Sequence, residues 1–440
     1  MEFIGNIVKY TSLALVILSC ILIIIRFLNE LEFTSIIPPV LKNITRKIIL
    51  ERENFIDSEK SEAPKNIFIK FLLFVFASRI LIFAVTYIIQ MLLKKQFINL
   101  GTYLQMWFIQ DTPHYINIAQ NGYQNVGEER FYIVFYPLYP FLIKIFSFLF
   151  YDYLISGILV SCLFLAIACL YVYKLVLLEF GNEKLAEQAV LLLLIFPYSF
   201  FFGIIYTESL FLALSAMVFY YSRKKKWALA GILGILGALT KNQGLFLFVP
   251  IAIEICLSSS IINELKKHRY KSALKHLFTI LPYSLLPFIG FAIYLLTNKL
   301  VTGNWFKFLE YQKIRWDNSM WLFADSIKKG FMCALSYDRI FSIGTFIPQV
   351  IFFFVAIILI IISIKKVPLS YIVFSLIVII FSYSPTWLLS GPRYISSLVP
   401  IYIFLLLFTQ KSRIIKHTTN IVCVLLLFLY STTFINGGTY

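Results

Sequence analysis

The chain has 440 residues, 60% of them hydrophobic and only 14% charged. Soluble domains carry roughly 45–50% apolar and about 25% charged residues, so a water-soluble globular fold is excluded. The net charge is +17, but the Lys and Arg residues sit in short clusters between apolar runs. That is the positive-inside pattern of a membrane protein rather than a nucleic-acid-binding surface.

The apolar runs are long enough to cross a bilayer, which takes about 20 residues each. Backbone amides cannot stay unpaired in lipid, and residues 358–364 and 425–429 do not alternate, so the runs predict helices and not barrel strands. The expected fold class is all-α: a polytopic, multi-pass integral membrane protein with about 12–13 hydrophobic helices, not all spanning. Cys20, Cys162, Cys169, Cys256 and Cys423 fall inside apolar runs and Cys333 in a polar loop, with no CxxC, so they read as packing residues.

In chain order, residues 10–28 form the first apolar run. It is longer than a signal-peptide h-region and lacks a small-residue cleavage site, so it reads as a retained helix. Residues 29–66 mix Lys42, Arg46, Lys47, Arg52, Lys60 and Lys65 with acids and read as cytoplasmic, which sets aside the sequon Asn43-Ile44-Thr45. A helix over 67–93 leads outward to a long amphipathic external loop, 94–134. Four apolar segments then precede Arg223-Lys224-Lys225-Lys226, although opposite sides require an odd number of crossings. Residues 135–150, interrupted by Pro137 and Pro140, are therefore expected to be only partly embedded. The rest alternates: outside at Lys241-Asn242-Gln243-Gly244, inside at Lys266, Lys267, His268 and Arg269, outside over 298–345, inside at Lys365 and Lys366, outside at Gly391-Pro392-Arg393, and inside at Lys411, Arg413 and Lys416. No internal repeat is visible.

Five places carry chemistry. Asp111, followed by Thr112 and Pro113, reads as a helix N-cap. It also fixes a carboxylate at the membrane surface with His114 about one turn on, where it can accept a proton from a hydroxyl. Phe135-Tyr136-Pro137-Leu138-Tyr139-Pro140 is a rigid aromatic turn, equally at home in an aromatic belt. Glu208, in Tyr206-Thr207-Glu208-Ser209-Leu210, is an acid at the start of an apolar run, where a helix dipole also favours it. Lys241, beside Asn242, is a cation at an external hairpin, a position a snorkelling lysine also takes. Arg393 is an external cation that runs against the positive-inside bias. Together these residues suit an enzyme acting on a lipid-linked phosphosugar, with the cations on the phosphate.

At these motifs the chain resembles the PIG-V-type mannosyltransferases, which make the second mannosyl transfer of GPI-anchor assembly, and their prokaryotic relatives. The shared elements are Asp111 with His114, Ile118-Ala119 and Gly122-Tyr123, then Tyr136-Pro137-Leu138-Tyr139-Pro140, Phe196-Pro197, Tyr206 to Leu210 and Lys241 to Gly244. The order and spacing follow the family over residues 67–255; beyond that the match is Arg393-Tyr394 and Pro400. Gln110 stands where the family usually has Trp, Lys241 where it usually has Arg, and the first helix with its charged loop is an addition.

The resemblance implies a GT-C-type bundle with its active site at a large first external loop. It implies transfer of a sugar, mannose first, from a polyprenyl- or dolichyl-phosphate donor to an acceptor hydroxyl, with inversion and without a metal or other cofactor. Asp111 would be the catalytic base, and His114, Tyr139, Glu208, Lys241, Asn242 and Arg393 would bind substrate. The acceptor would be a glycolipid, a glycan or a protein, and the partners otherwise are the bilayer and no nucleic acid. The membrane would be the plasma membrane in a prokaryote and that of the endoplasmic reticulum in a eukaryote. The expected parts are 1–66, the added helix and charged loop; 67–255, the catalytic module; and 256–440, the C-terminal helices with the second long loop. The competing reading is a transporter or flippase for a lipid-linked sugar or polar solute, which would place ionisable groups at mid-membrane.

Overall fold

The computed structural model describes residues 1–30, 63, 64, 66–267 and 269–439. The charged stretch 31–62, its sequon, Lys65 and His268 lie outside the described residues. Among the described residues the fold is all-α, with a single isolated antiparallel bridge between Met320 and Pro385. Among the described residues, seven helices are long and apolar enough to cross a membrane. The chain is a multi-pass integral membrane protein.

Helix α1 (Glu2–Glu30) is followed by α2 (Ile67–Lys94), the short α3 (Leu100–Gln105) and α4 (Thr112–Asn121), and a 3₁₀ turn at Glu128–Val134. The long loop expected after the second helix is thus mostly short helices. Next come α5 (Leu138–Phe150), α6 (Tyr153–Phe180), α7 (Glu183–Ile195), a 3₁₀ turn at Ser199–Gly203, and α8 (Glu208–Arg223). The Glu128–Val134 turn and α5 meet at 109°. Tyr139, in the first turn of α5, bonds Ser161 and Gly157 of α6, and α5 ends at the turn before α6 begins. So α5 packs back along the start of α6, and the bend before it falls at Pro137.

Lipid supplies no hydrophobic drive between helices, so they meet where side chains are small. On α6 these are Gly157, Ser161, Cys162, Ala166, Ala168 and Cys169; on α8, Ala213, Ser215 and Ala216; all are buried. The remaining elements are α9 (Trp227–Ala238), α10 (Phe248–Cys256), α11 (Ser259–Lys266), α12 (Tyr270–Ile280), α13 (Leu286–Thr302), α14 (Lys307–Trp316), α15 (Phe323–Ser336), α16 (Ile347–Ser363), α17 (Leu369–Ser382), α18 (Gly391–Ser396), α19 (Val399–Thr409) and α20 (Arg413–Ile435). The second long loop is largely α14 and α15, and Cys333 lies in α15 rather than in a loop. The added helix α1 is not separate from the rest. Lys9 pairs with Asp325 at 2.5 Å and Lys328 bonds Asn6 at 2.7 Å at one end, and Arg26 donates to the Ile364 carbonyl at the other.

Two clusters of ions mark the two ends of the bundle. At one end Arg223 binds Glu179 at 2.6 Å and Glu254 at 2.8 Å, joining α6, α8 and α10, while Tyr371 and Ser370 of α17 donate to the same two acids. At the other end lie Asp111, Glu208, Lys241 and Arg393.

Candidate active site

Asp111 sits at the N-cap of α4 with Pro113 in the first turn, as its sequence suggests, but its side chain makes no capping hydrogen bond. The carboxylate turns instead toward α18 and accepts from Arg393 Nη1 at 2.9 Å. The backbone is shaped for this. Gln110 is in the left-handed region at φ 57°, a conformation that costs a non-glycine residue about 1 kcal/mol or more. Its side chain accepts from the Tyr206 hydroxyl and donates to the Thr439 carbonyl at 2.6 Å. The same Tyr206 oxygen accepts from the Asp111 amide at 3.3 Å.

From Arg393 the row continues. Arg393 Nε lies 3.5 Å from Glu208 Oε1, and Lys241 Nζ donates to that same oxygen at 2.6 Å. Two acids and two cations thus form one chain, Asp111–Arg393–Glu208–Lys241, drawn from α4, α18, α8 and the turn after α9. The acids differ in access: the Asp111 side chain is 27% exposed and that of Glu208 1%. Lys241 is not a snorkelling residue, since it is buried, bonded to Glu208 and set against the Tyr394 ring at 4.8 Å. The Arg393 guanidinium packs on Tyr206 at 5.2 Å and on Phe201 at 5.4 Å.

Two glycines permit these approaches. A Cβ at Gly244 would stand 2.0 Å from the Gly237 carbonyl, so only glycine lets the Lys241–Gly244 turn fold onto the end of α9. A Cβ at Gly391 would stand 2.5 Å from Gln349 Oε1, the atom that accepts from the Gly391 amide at 2.9 Å. Gln349 also donates to Leu388 at 3.1 Å, so α16 clamps the segment that delivers Arg393.

The row forms part of the wall of a cavity of about 320 Å³. Asp111, His114, Glu208, Lys241, Asn242 and Arg393 all line it. Tyr139 does not: its hydroxyl is committed to Ser161 at 2.7 Å and its ring lies behind Tyr115, 5.2 Å between centroids. Its place is a packing one, holding α5 against α6. His114 stacks on Tyr132 at 4.5 Å and faces Phe135 at 5.1 Å, with Nδ1 buried and unpartnered. Burial lowers its pKa below the usual imidazole value, against the opposing pull of Asp111 and with help from Arg315. The ring is therefore neutral at pH 7. Lining residues that motif reading did not single out are Gln312, Trp316, Asn318 and Trp387.

One charged residue outside the cavity shapes it. Arg79, buried in α2, donates to the Leu194 carbonyl at 3.0 Å and to the Ser199 carbonyl. Pro197 breaks the helix there, and Arg79 satisfies carbonyls that the break strands in the apolar interior.

A family model described as dolichyl-phosphate-mannose-protein mannosyltransferase matches residues 136–294. GPI mannosyltransferase 2 of Schizosaccharomyces pombe is 31% identical over 144 residues. Both matches are to mannosyltransferases, and they support the resemblance to the PIG-V-type family of the GT-C superfamily. The aligned stretch is 32% of this chain, which spans 30% of the length of that relative. No solved structure matches the chain. The matched mannosyltransferase region contains Tyr139, Glu208, Lys241 and Asn242, whereas Asp111, His114 and Arg393 lie outside it and reach the cavity wall through the fold.

Proposed function

We propose that the cavity is the active site of an inverting glycosyltransferase. It moves a sugar, mannose first, from a polyprenyl- or dolichyl-phosphate donor to an acceptor hydroxyl on the external or lumenal face. The observation that carries this reading is the difference between the two acids of the row. Asp111 is open to the cavity while Glu208 is enclosed by cations.

In this reading Asp111 takes the proton of the acceptor hydroxyl as that oxygen attacks the anomeric carbon. The bond from that carbon to the carrier phosphate breaks, and the phosphate leaves with the electron pair. Arg393 has five N–H donors, of which one holds Asp111, and Lys241 has three, of which one holds Glu208. The spare donors can meet the phosphate as its charge grows, the kind of stabilisation that is often the largest catalytic contribution. Glu208 keeps the two cations together in a site of low polarity. No metal ion takes part in this scheme, because Lys241 and Arg393 supply the positive charge; EDTA is expected to leave the rate unchanged.

The distribution of charge supports the external or lumenal face. The clusters at Arg223–Lys226, Lys365–Lys366 and Lys411–Lys416 lie at the bundle end away from the row, and such clusters stay in the cytoplasm. A row at one end also favours a surface reaction over the transporter reading, which needs ionisable groups at mid-membrane.

The test is transfer from radiolabelled polyprenyl-phosphate mannose by the full-length protein in lipid, with the anomeric configuration of the product read by NMR. A product of inverted configuration is expected. An intact donor, with mannose and glucose carriers both tried against a range of acceptors, would end this reading.

A further inference from the structure

Asp111 is oriented by more than its partner Arg393. A residue that caps a helix lies in the extended region and turns its side-chain oxygen onto the first free amides. Asp111 has the sequence of such a cap, yet it lies in the helical region, at φ −76° and ψ −22°, and its carboxylate caps nothing. The residue before it, Gln110, is left-handed at φ 57°. A non-glycine residue keeps that conformation only where its surroundings hold it. Part of the hold on Gln110 comes from far along the sequence. Its amide nitrogen donates to the Thr439 carbonyl at 2.6 Å, and its amide oxygen accepts from the Tyr206 hydroxyl at 3.3 Å.

Residues 436–439, which follow α20, are themselves pinned from three sides. Gln90 of α2 donates to Asn436 Oδ1 at 2.9 Å. The Gly438 amide donates back to the Thr433 carbonyl of α20 at 2.8 Å. In the turn at Ser342–Phe346, the Thr345 hydroxyl donates to the Gly438 carbonyl at 2.8 Å, and the Gly344 carbonyl accepts from the Thr439 hydroxyl at 3.0 Å. Thr439 is fully buried. A segment that merely trails from a last helix would have none of these ties. None of residues 436–439 lines the cavity, so the segment reaches the site only through Gln110. Gln110 is also where this chain departs from the Trp usual in the family it resembles, which makes the link a property of the chain's own residue.

Resting on the transfer reading above, we propose that residues 436–439 are a positioning element for the base, acting through Gln110 as the positioning residue. The bond from Gln110 to the Thr439 carbonyl keeps Gln110 left-handed. That in turn keeps the Asp111 carboxylate aimed into the cavity instead of onto the free amides of α4. Arg393 does not do this alone, because in the transfer reading the donor phosphate draws on the same guanidinium. The backbone hold stays in place while that ion pair loosens.

The full-length protein in lipid nanodiscs tests this as wild type, Gln110→Met, Thr439→Val and the double variant. Amide hydrogen exchange is followed over residues 107–115 and 433–439, and turnover is followed with polyprenyl-phosphate mannose. Either single substitution should speed exchange in both segments. Each should lower kcat, by up to about tenfold, the scale of one hydrogen bond, with donor and acceptor KM nearly unchanged. The double variant should be no slower than the slower single, since both break one link. If Thr439→Val lowers the thermal midpoint, Thr345→Val takes its place, because it loosens the same segment from outside. Multiplied losses in the double variant, or faster exchange confined to the substituted segment, would overturn the proposal. So would a raised KM with kcat unchanged, which would make Gln110 a substrate contact. Exchange coupled between the two segments, in a protein that consumes no donor with any acceptor, would keep the link and end the transfer reading.

Discussion

Glu208 and Asp111 stand in one row, yet a substitution at each should read out differently. Glu208 is enclosed and shared by two cations, so Glu208→Gln leaves Lys241 and Arg393 buried against each other. Breaking a buried pair of this kind costs about 3–5 kcal/mol, and a fall in thermal midpoint in detergent should accompany the loss of activity. An unchanged midpoint would mean the cations do not depend on Glu208. His114 gives a pH test. Its folded pKa is lowered by burial, so above the ordinary imidazole value of about 6.5 both folded and unfolded states carry it neutral. Its contribution to stability is fully present there. It is lost as pH falls below that value toward the folded one, because the unfolded chain binds the proton first. His114→Asn should therefore flatten the decline of thermal midpoint between pH 7 and 5.5. At this scale most of the row was legible, since Asp111, Glu208, Lys241 and Arg393 are the ionisable residues of the external motifs. Side-chain direction was not. The Tyr139 motif is visible in the chain, but only the angle of α5 against α6 shows that its hydroxyl is used inside. Trp316 and Asn318 belong to no motif, and no pattern of spacing announces them.

Elements position these residues through their breaks rather than their lengths. The turn between α7 and α8 holds Tyr206 to Glu208, and Arg79 fastens it through the Leu194 and Ser199 carbonyls. Arg79→Met removes a buried donor from both carbonyls, with only the Ser199 hydroxyl still serving that of Leu194, at a cost of about 1–3 kcal/mol. Reduced thermal stability together with reduced transfer is expected, and Arg79→Lys should recover part of both. Full activity in Arg79→Met would show that the break holds itself. The Pro137 and Pro140 interruption gave away the sharp bend before α5. Arg79, by contrast, is one cation in an apolar run, and sequence shows neither the helix it faces nor the carbonyls it serves. The short helices within residues 94–134 and 298–345 were hidden for a related reason, since amphipathic surface helices lack the long apolar signal that marks a span.

For the whole molecule the account requires the row and its cavity on one face and the Arg223 cluster on the other. Single cysteines at Val126→Cys and Lys224→Cys, in a cysteine-free background, should report this. A membrane-impermeant maleimide applied to intact cells should label the first and not the second, and the reverse pattern would place the cavity in the cytoplasm. The most direct measurement, however, is the transfer rate of Asp111→Asn against wild type with polyprenyl-phosphate mannose and a saturating acceptor. A loss of about 10²–10⁴-fold in kcat, with donor KM nearly unchanged and the thermal midpoint retained, is the predicted result. Undiminished turnover would contradict the assignment of Asp111 as the base and, with it, the account of the row.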